Sequence, residues 1–236
     1  MIHLGRIAIT LDTIMTAEEF TVEKGPVAAD VARPTAPNGL VILAHGAGSD
    51  RRSAVLRAVG EALVDRGLAV ARIDLPYRQD RPKGPPAPSK AARDRDGIRA
   101  AVAELRSVSD GPLIVGGHSY GGRQASMVAA EEPDLFDGLL LTSYPLHPPG
   151  RPDRLRTEHL SGVTAPTLIV HGRNDAFGKS EEFADALTLF GGPVRLLEVE
   201  KADHSLKPDR SGVGGLTADA VDEWLFPAVL ARAGAR

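Results

Sequence analysis

The residues best suited to chemistry lie in Gly117-His118-Ser119-Tyr120-Gly121, which has the form G-x-S-x-G. A chain that reverses this sharply from strand to helix strains its central residue and leaves that side chain exposed. Side chains at positions 117 and 121 would collide in such a turn, so glycine is expected at both. A serine hydroxyl is a weak nucleophile at neutral pH and needs a general base, for which histidine titrates in the right range. Of seven histidines, His204 comes last, in Lys201-Ala-Asp-His-Ser-Leu206. The acid that orients it should lie between serine and histidine, at the end of a strand. Asp175, in His171-Gly-Arg-Asn-Asp175, fits; a buried carboxylate there would hold the imidazole tautomer and stabilise the imidazolium. Asp203 adjoins His204 too closely to face it, Asp185 falls on a helix face, and Asp209 is the remaining competitor. The chemistry is acyl transfer. It builds charge on a carbonyl oxygen that two backbone N–H groups must hold. Tyr120, the residue after Ser119, is expected to give one; Ala47, in His45-Gly46-Ala47-Gly48, the other.

These residues need elements that bring them to one edge. Leu40–Ala44, Leu68–Asp74, Leu113–Gly117, Gly138–Tyr144, Thr167–His171 and Val194–Val199 are short apolar runs, as expected of strands buried on both faces. Helical spacing fills the gaps at Ser53–Arg66, Lys90–Ser107, Gly121–Glu132 and Glu181–Phe190. A last helix is expected over Leu216–Ala233, interrupted near Pro227. Alternating strands and helices predict an α/β fold with a mostly parallel sheet and helices on both faces. In such sheets ligands sit beyond the carboxyl ends of the strands, where every candidate above falls. Glu19–Lys24 and Val27–Arg33 flank the turn dipeptide Gly25-Pro26 and predict a β-hairpin. The expected organisation is one domain over 1–236, with 1–38 an N-terminal extension and hairpin.

Composition narrows the classes. The 236 residues include no cysteine, which excludes disulfides, thiolate metal sites and a cysteine nucleophile. A net charge of -3 gives no support for nucleic-acid binding, which would need a clustered basic face. One tryptophan, three tyrosines and six phenylalanines are too few for a base-stacking platform. No run approaches the roughly 18 apolar residues of a membrane span. The first residues lack a continuous apolar region and a small-residue cleavage site, so a cytoplasmic protein is expected, with Met1 or Met15 as its start. Neither a dinucleotide fingerprint nor a phosphate loop is present. His171 and Asp175 are four apart, a metal spacing only on a helix; His171 is read as hydrogen-bonded within its loop. No metal and no cofactor is expected.

Over nearly its whole length the chain resembles the α/β-hydrolase superfamily. The resemblance is carried by His45-Gly-Ala-Gly-Ser-Asp50, Asp74-Leu-Pro-Tyr77, Gly116-Gly-His-Ser-Tyr-Gly-Gly-Arg123, Tyr144-Pro-Leu-His-Pro-Pro-Gly150, Leu155-Arg-Thr-Glu-His-Leu160 and Ala202-Asp-His-Ser-Leu206. Within the superfamily it looks most like the branch of testis-expressed protein 30 and the hydrolase-like part of the third subunit of the nonspecific-lethal histone acetyltransferase complex. It is more distantly similar to dienelactone hydrolases, which carry cysteine where this chain has Ser119. The resemblance implies a three-layer fold without a large cap domain and a Ser119–Asp175–His204 triad. The expected activity is hydrolysis of a small carboxylic ester or thioester by a monomer or homodimer. The alternative is an interaction module on the same fold, without turnover. Gly48, Tyr144 and His147 are candidates for the substrate pocket. Arg156 and His159, weighed as further pocket residues, are read as ties that pin the 144–160 loop, and Arg123 as a structural ion-pair residue rather than a substrate clamp. Arg78, Arg81 and Lys83, offset by Asp80, read as a solvated loop. Any cap must come from short loops, chiefly 76–89 and 144–160, which predicts an open, shallow site.

Overall fold

A computed structural model of the chain describes residues 17–234. Both possible start residues, Met1 and Met15, lie outside the described residues. Eight strands form one sheet in the order β1-β2-β4-β3-β5-β6-β7-β8. The hairpin β1 (Ala17–Lys24) and β2 (Val27–Pro34) joins antiparallel at one edge, through β2 on β4 (Ala69–Ile73). From β4 onward the sheet is parallel, through β3 (Leu40–Ala44), β5 (Leu113–His118), β6 (Gly138–Thr142), β7 (Thr167–Gly172) and β8 (Val194–Val199).

Alternation along β3 shows how the sheet feeds two cores. Leu40 and Ile42 point to one face, Val41 and Leu43 to the other, and all four are buried. The first face is covered by α3 (Ala91–Leu105), α4 (Tyr120–Glu131) and α5 (Ser180–Leu187). The second is covered by α1 (Ala54–Val64) and by the C-terminal helices α7 (Val213–Ala220) and α8 (Phe226–Gly234). On α1, of the helically spaced Val55, Leu56, Val59, Leu63 and Val64, the first four are buried and Val64 is half-buried. This is the three-layer arrangement the apolar strands require.

Three differences have local causes. The C-terminal helix begins at Val213 and widens into a π turn over Val221–Leu225, just before Pro227. Pro227 has no N–H to donate, and a π turn is one way a helix accommodates that. The loop after β4 contains a short helix, α2 (Pro76–Asp80), with proline at its first turn; five residues carry too little periodicity to be seen in advance. Strand β6 stops at Thr142, two residues early, because Ser143 adopts φ 50° and turns the chain inward. A further short helix, α6 (Pro208–Ser211), follows the His204 loop. Among the described residues no helix is long and apolar enough to cross a membrane.

Candidate active site

Strands β3 and β5 are neighbours whose connections leave in opposite directions, β3 towards β4 and β5 towards β6. Crevices in α/β sheets open at such a switch point. Ser119 stands there, between β5 and α4, with φ 50° and ψ -112°. Its N–H donates to the Thr142 carbonyl at 2.8 Å, which ties the strained residue to the next strand. The glycines around it are required, for a reason the sequence did not give. Gly117 takes φ 146°, and a Cβ there would lie 2.0 Å from the Ala44 carbonyl oxygen; a Cβ on Gly121 would lie 2.5 Å from the same atom. Both residues make way for the end of β3 rather than for each other.

Ser119, His204 and Asp175 form one hydrogen-bonded line. Ser119 Oγ and His204 Nε2 are 2.8 Å apart, and His204 Nδ1 is 2.7 Å from Asp175 Oδ2. The ionised carboxylate can only accept, so Nδ1 carries the hydrogen and Nε2 accepts from the serine. The Asp175 side chain is fully buried, while that of His204 is 24% exposed. The Phe177 N–H donates to Asp175 Oδ1 at 2.8 Å, and the Phe177 ring stacks on His204 with centroids 4.0 Å apart. Asp203 is occupied by Ser205, whose N–H and hydroxyl both donate to it. Asp185 is exposed. His171 donates from Nε2 to the Gly178 carbonyl at 2.7 Å, within the loop that carries Asp175. Among the described residues no cluster of metal-ligating side chains occurs.

Across from His204, Gly46, Ala47 and Tyr120 line the same cavity. Among the described residues, the N–H groups of Ala47 and Tyr120 have no acceptor within the chain; Tyr120 opens α4, where helical N–H groups are unpaired by construction. A buried network fixes this side. His45 donates from Nδ1 to the Gly46 carbonyl at 2.9 Å and accepts the Leu75 N–H at Nε2. Burial holds its pKa below the ordinary value, which keeps that neutral tautomer in place. The Tyr77 hydroxyl also donates to the Gly46 carbonyl, at 3.1 Å, and accepts the Gly48 N–H. Behind both, fully buried Asp94 accepts the Tyr77 N–H at 3.0 Å and the Tyr120 hydroxyl at 2.7 Å. One carboxylate thus braces the two segments that hold the unpaired N–H groups. Burial, then the Asp94 bond, push the Tyr120 phenol well above its usual range, so it stays a donor.

The cavity has a volume of about 750 Å³, within the usual range for ligand sites. Prolines 85, 86 and 88 form one wall, and the start of α1 and the 205–208 segment add to the two predicted loops. Three expected pocket residues lie elsewhere. Gly48 faces Tyr77 rather than the cavity. Tyr144, swung inward by Ser143, is buried and donates to the Arg156 carbonyl at 2.7 Å. His147 is buried and bonded to the Pro148 carbonyl and to Glu182. His159 ties its loop to α4 through Ser126 at 2.8 Å, as read from the sequence. Arg78 is not solvated; it donates to the carbonyls of Ser49, Arg81 and Gly84 and binds the two loops together. Arg123 and Arg156 line the cavity. Arg156 also reaches the Pro145 carbonyl at 3.4 Å within its own loop, so it both lines the cavity and ties the loop; the reading of Arg123 as an ion-pair residue missed its place in the lining, for which the available signal was its position one turn into the helix that Ser119 caps.

A hydroxyl hydrogen-bonded to an imidazole, which a buried carboxylate orients, can attack a carbonyl while losing its proton; two N–H donors opposite can hold the oxyanion. The chain is similar, at 32% identity over 206 residues (85% of its length), to a putative phosphoribosyl transferase of Mycobacterium tuberculosis, of which it spans 44%. It is similar to cutinase 1 of Thermobifida cellulosilytica, at 30% identity over 112 residues, 48% of this chain and 39% of the cutinase. Dienelactone hydrolase from Anabaena variabilis superposes with a TM-score of 0.69 at 23% identity, over 89% of this chain and 98% of that one. Residues 37–224 match the alpha/beta hydrolase domain. That span runs from just before β3 into the C-terminal helices and leaves the hairpin outside. With the parallel sheet, the switch-point serine and this match together, the chain belongs to the α/β-hydrolase family.

Proposed function

We propose that this hydrolase is a serine enzyme that cleaves a small carboxylic ester or thioester through an acyl-enzyme. The observation that carries the reading is the Asp175–His204–Ser119 line ending at the cavity. Ser119 Oγ attacks the carbonyl carbon and its proton passes to His204 Nε2. The oxyanion is held by the Ala47 and Tyr120 N–H groups, and Asp175 stabilises the imidazolium. As the tetrahedral intermediate collapses, His204 returns the proton to the departing alkoxide or thiolate. Water then repeats the sequence on the acyl-enzyme, with His204 again the base, and releases the acid and free Ser119.

The cutinase and the dienelactone hydrolase among the similar proteins support hydrolytic chemistry. The activity in the name of the mycobacterial relative is not carried over, because this chain spans less than half of that protein. Within the family, the 144–160 segment supports placement near the testis-expressed protein 30 branch. An interaction module would have no need of a serine in strained backbone aligned with a histidine and a buried acid. A fluorophosphonate probe tests the reading: it is expected to label Ser119, and an ester panel of graded acyl length to show turnover that Ser119→Ala lowers by about 10⁴-fold or more. A folded protein that neither labels nor turns over any ester would leave the interaction module as the better account.

A further inference from the structure

The wall of the cavity is chemically one-sided. Arg123, Arg156 and Lys207 line it, and among the described residues no aspartate or glutamate does. This contrasts with a chain whose net charge is -3. Three other arginines with little exposure have acid or carbonyl partners: Arg51 binds Asp30, Asp74 and Glu23, Arg78 binds three carbonyls, and Arg99 binds Glu131 and Glu132. The Arg123 guanidinium has no partner among the described residues, and its Nε is buried without an acceptor. Arg156 makes one long bond, 3.4 Å to the Pro145 carbonyl. Gln124 is fully buried; its carbonyl oxygen takes a bond from Arg95, but its amide nitrogen is also left without an acceptor. Three side chains of the cavity lining thus carry N–H donors, and one long bond from Arg156 is all that receives them among the described residues.

Leaving such donors unmet is costly, and two neighbouring cations repel. Burial and the charge of Arg123 push the Arg156 guanidinium below its ordinary value, but a guanidinium keeps its proton in a protein. The arrangement therefore calls for an anion with oxygen acceptors. Its position follows from the helix: Arg123 lies four residues beyond Ser119, and its N–H donates to the Ser119 carbonyl at 2.9 Å. The anion would sit one helical turn from the attacking oxygen.

We propose that Arg123, Arg156 and Gln124 form an anion-binding subsite, and that the ester cleaved at Ser119 carries a second, free carboxylate. The inference rests on the serine-hydrolase reading and narrows its substrate class to short monoesters of dicarboxylic acids, or acyl esters of hydroxy acids. The guanidinium fork matches a carboxylate bidentately, and the apolar prolines opposite would cover the linking carbons.

The test compares two matched pairs, each a neutral and a carboxylated ester with the same leaving-group class: 4-nitrophenyl butyrate with 4-nitrophenyl hemiglutarate, and isopropyl acetate with the acetate ester of lactate, which puts the carboxylate on the alcohol side. One carboxylated ester is expected to exceed its neutral counterpart in kcat/KM by about tenfold or more, the strength of a charge-assisted hydrogen bond. Arg123→Gln and Arg156→Gln are each expected to lower that ratio by about tenfold, mainly through KM. Equal handling of neutral and carboxylated esters, or variants that lower both alike, would overturn the subsite while leaving the hydrolase reading intact. If the intact protein cleaves no ester and Ser119 does not label, glutarate binding by calorimetry decides. Binding that Arg123→Gln weakens supports the subsite; no binding at millimolar glutarate overturns it.

Discussion

The two sides of Ser119 are built on different principles. Opposite His204, the segments with the unpaired Ala47 and Tyr120 N–H groups are braced by buried His45, Tyr77 and Asp94, each bonded to backbone or to another member of the network. On the other side His204 rides a loop, a quarter exposed, held by one carboxylate bond and a stacked ring. On the proposed mechanism the contrast has a physical sense. Donors that meet a developing charge work best when they need no rearrangement. A ring that takes a proton and then returns it must stay aligned with two partners in turn, so it needs a firm anchor at one nitrogen and some freedom at the other.

Asp175→Asn puts the sharpest strain on the base side. The amide keeps the shape but can donate where the carboxylate only accepts, which favours the wrong imidazole tautomer. A loss in kcat of about 10³- to 10⁴-fold is expected, with the fold retained by circular dichroism. A loss below tenfold would mean that His204 is held by its surroundings and that Asp175 is dispensable.

Why the base side was legible in the sequence and its opposite was not follows from how each is encoded. Ser119, Asp175 and His204 each sit directly after an apolar strand, so the sheet alone brings them to one edge, and their order along the chain separates the roles. The strands themselves were plain because β3, β6 and β7 are buried along their whole length and read as apolar runs. Asp94 lies in the first turn of α3, where a carboxylate reads as an ordinary helix-terminus charge. Its bonds to Tyr77 and Tyr120 span 17 and 26 residues and exist only once α2 and α4 are packed beside α3. Tyr144 was misplaced for a related reason: one left-handed residue, Ser143, decides which way it points. Arg123 was misread because a lone basic residue on a helix usually finds an acid, and here the fold supplies none.

The braced side is tested by Asp94→Asn. One face of the amide can still accept, but its NH₂ would meet the other donor, so either Tyr77 or Tyr120 loses its partner. Misaligning one oxyanion donor should lower kcat by about 10²-fold. Since the ground-state carbonyl carries little charge, KM should change little. A rise in KM at constant kcat would show instead that the network shapes the pocket and not the donors.

Acid should weaken the fold around the base side and the 144–160 loop. Burial, followed by the charge of His204, holds His118 down to about 3, and burial with Arg123 nearby holds His159 to about 4. In the unfolded chain both titrate near 6.5. Below that pH the unfolded state binds protons that the folded state refuses, so stability falls as pH drops from about 6.5 towards 4. His118 alone should cost about 2 kcal/mol by pH 4.5, allowing for its contact with the cavity. Urea midpoints measured across this window should fall with pH, and His118→Gln should flatten the slope. A midpoint independent of pH would mean these rings are solvated.

The smallest effect is expected from the ring that steadies His204. Phe177 supplies two things, and they separate cleanly. Its N–H bond to Asp175 belongs to the backbone and survives any substitution except proline; its ring stacks on His204 at an interplanar angle of 26°. Phe177→Leu keeps apolar bulk and removes only the stacking, worth about 0.5–1.5 kcal/mol for aromatic pairs. That predicts a decrease in kcat of about two- to tenfold on a neutral ester, with the Ser119 labelling rate falling in parallel, since both report the alignment of His204. If kcat falls while labelling is unchanged, the ring acts on the substrate from the cavity wall rather than on the histidine. If Phe177→Leu costs as much as Asp175→Asn, the base side is as rigidly determined as the oxyanion side, and the contrast between the two dissolves.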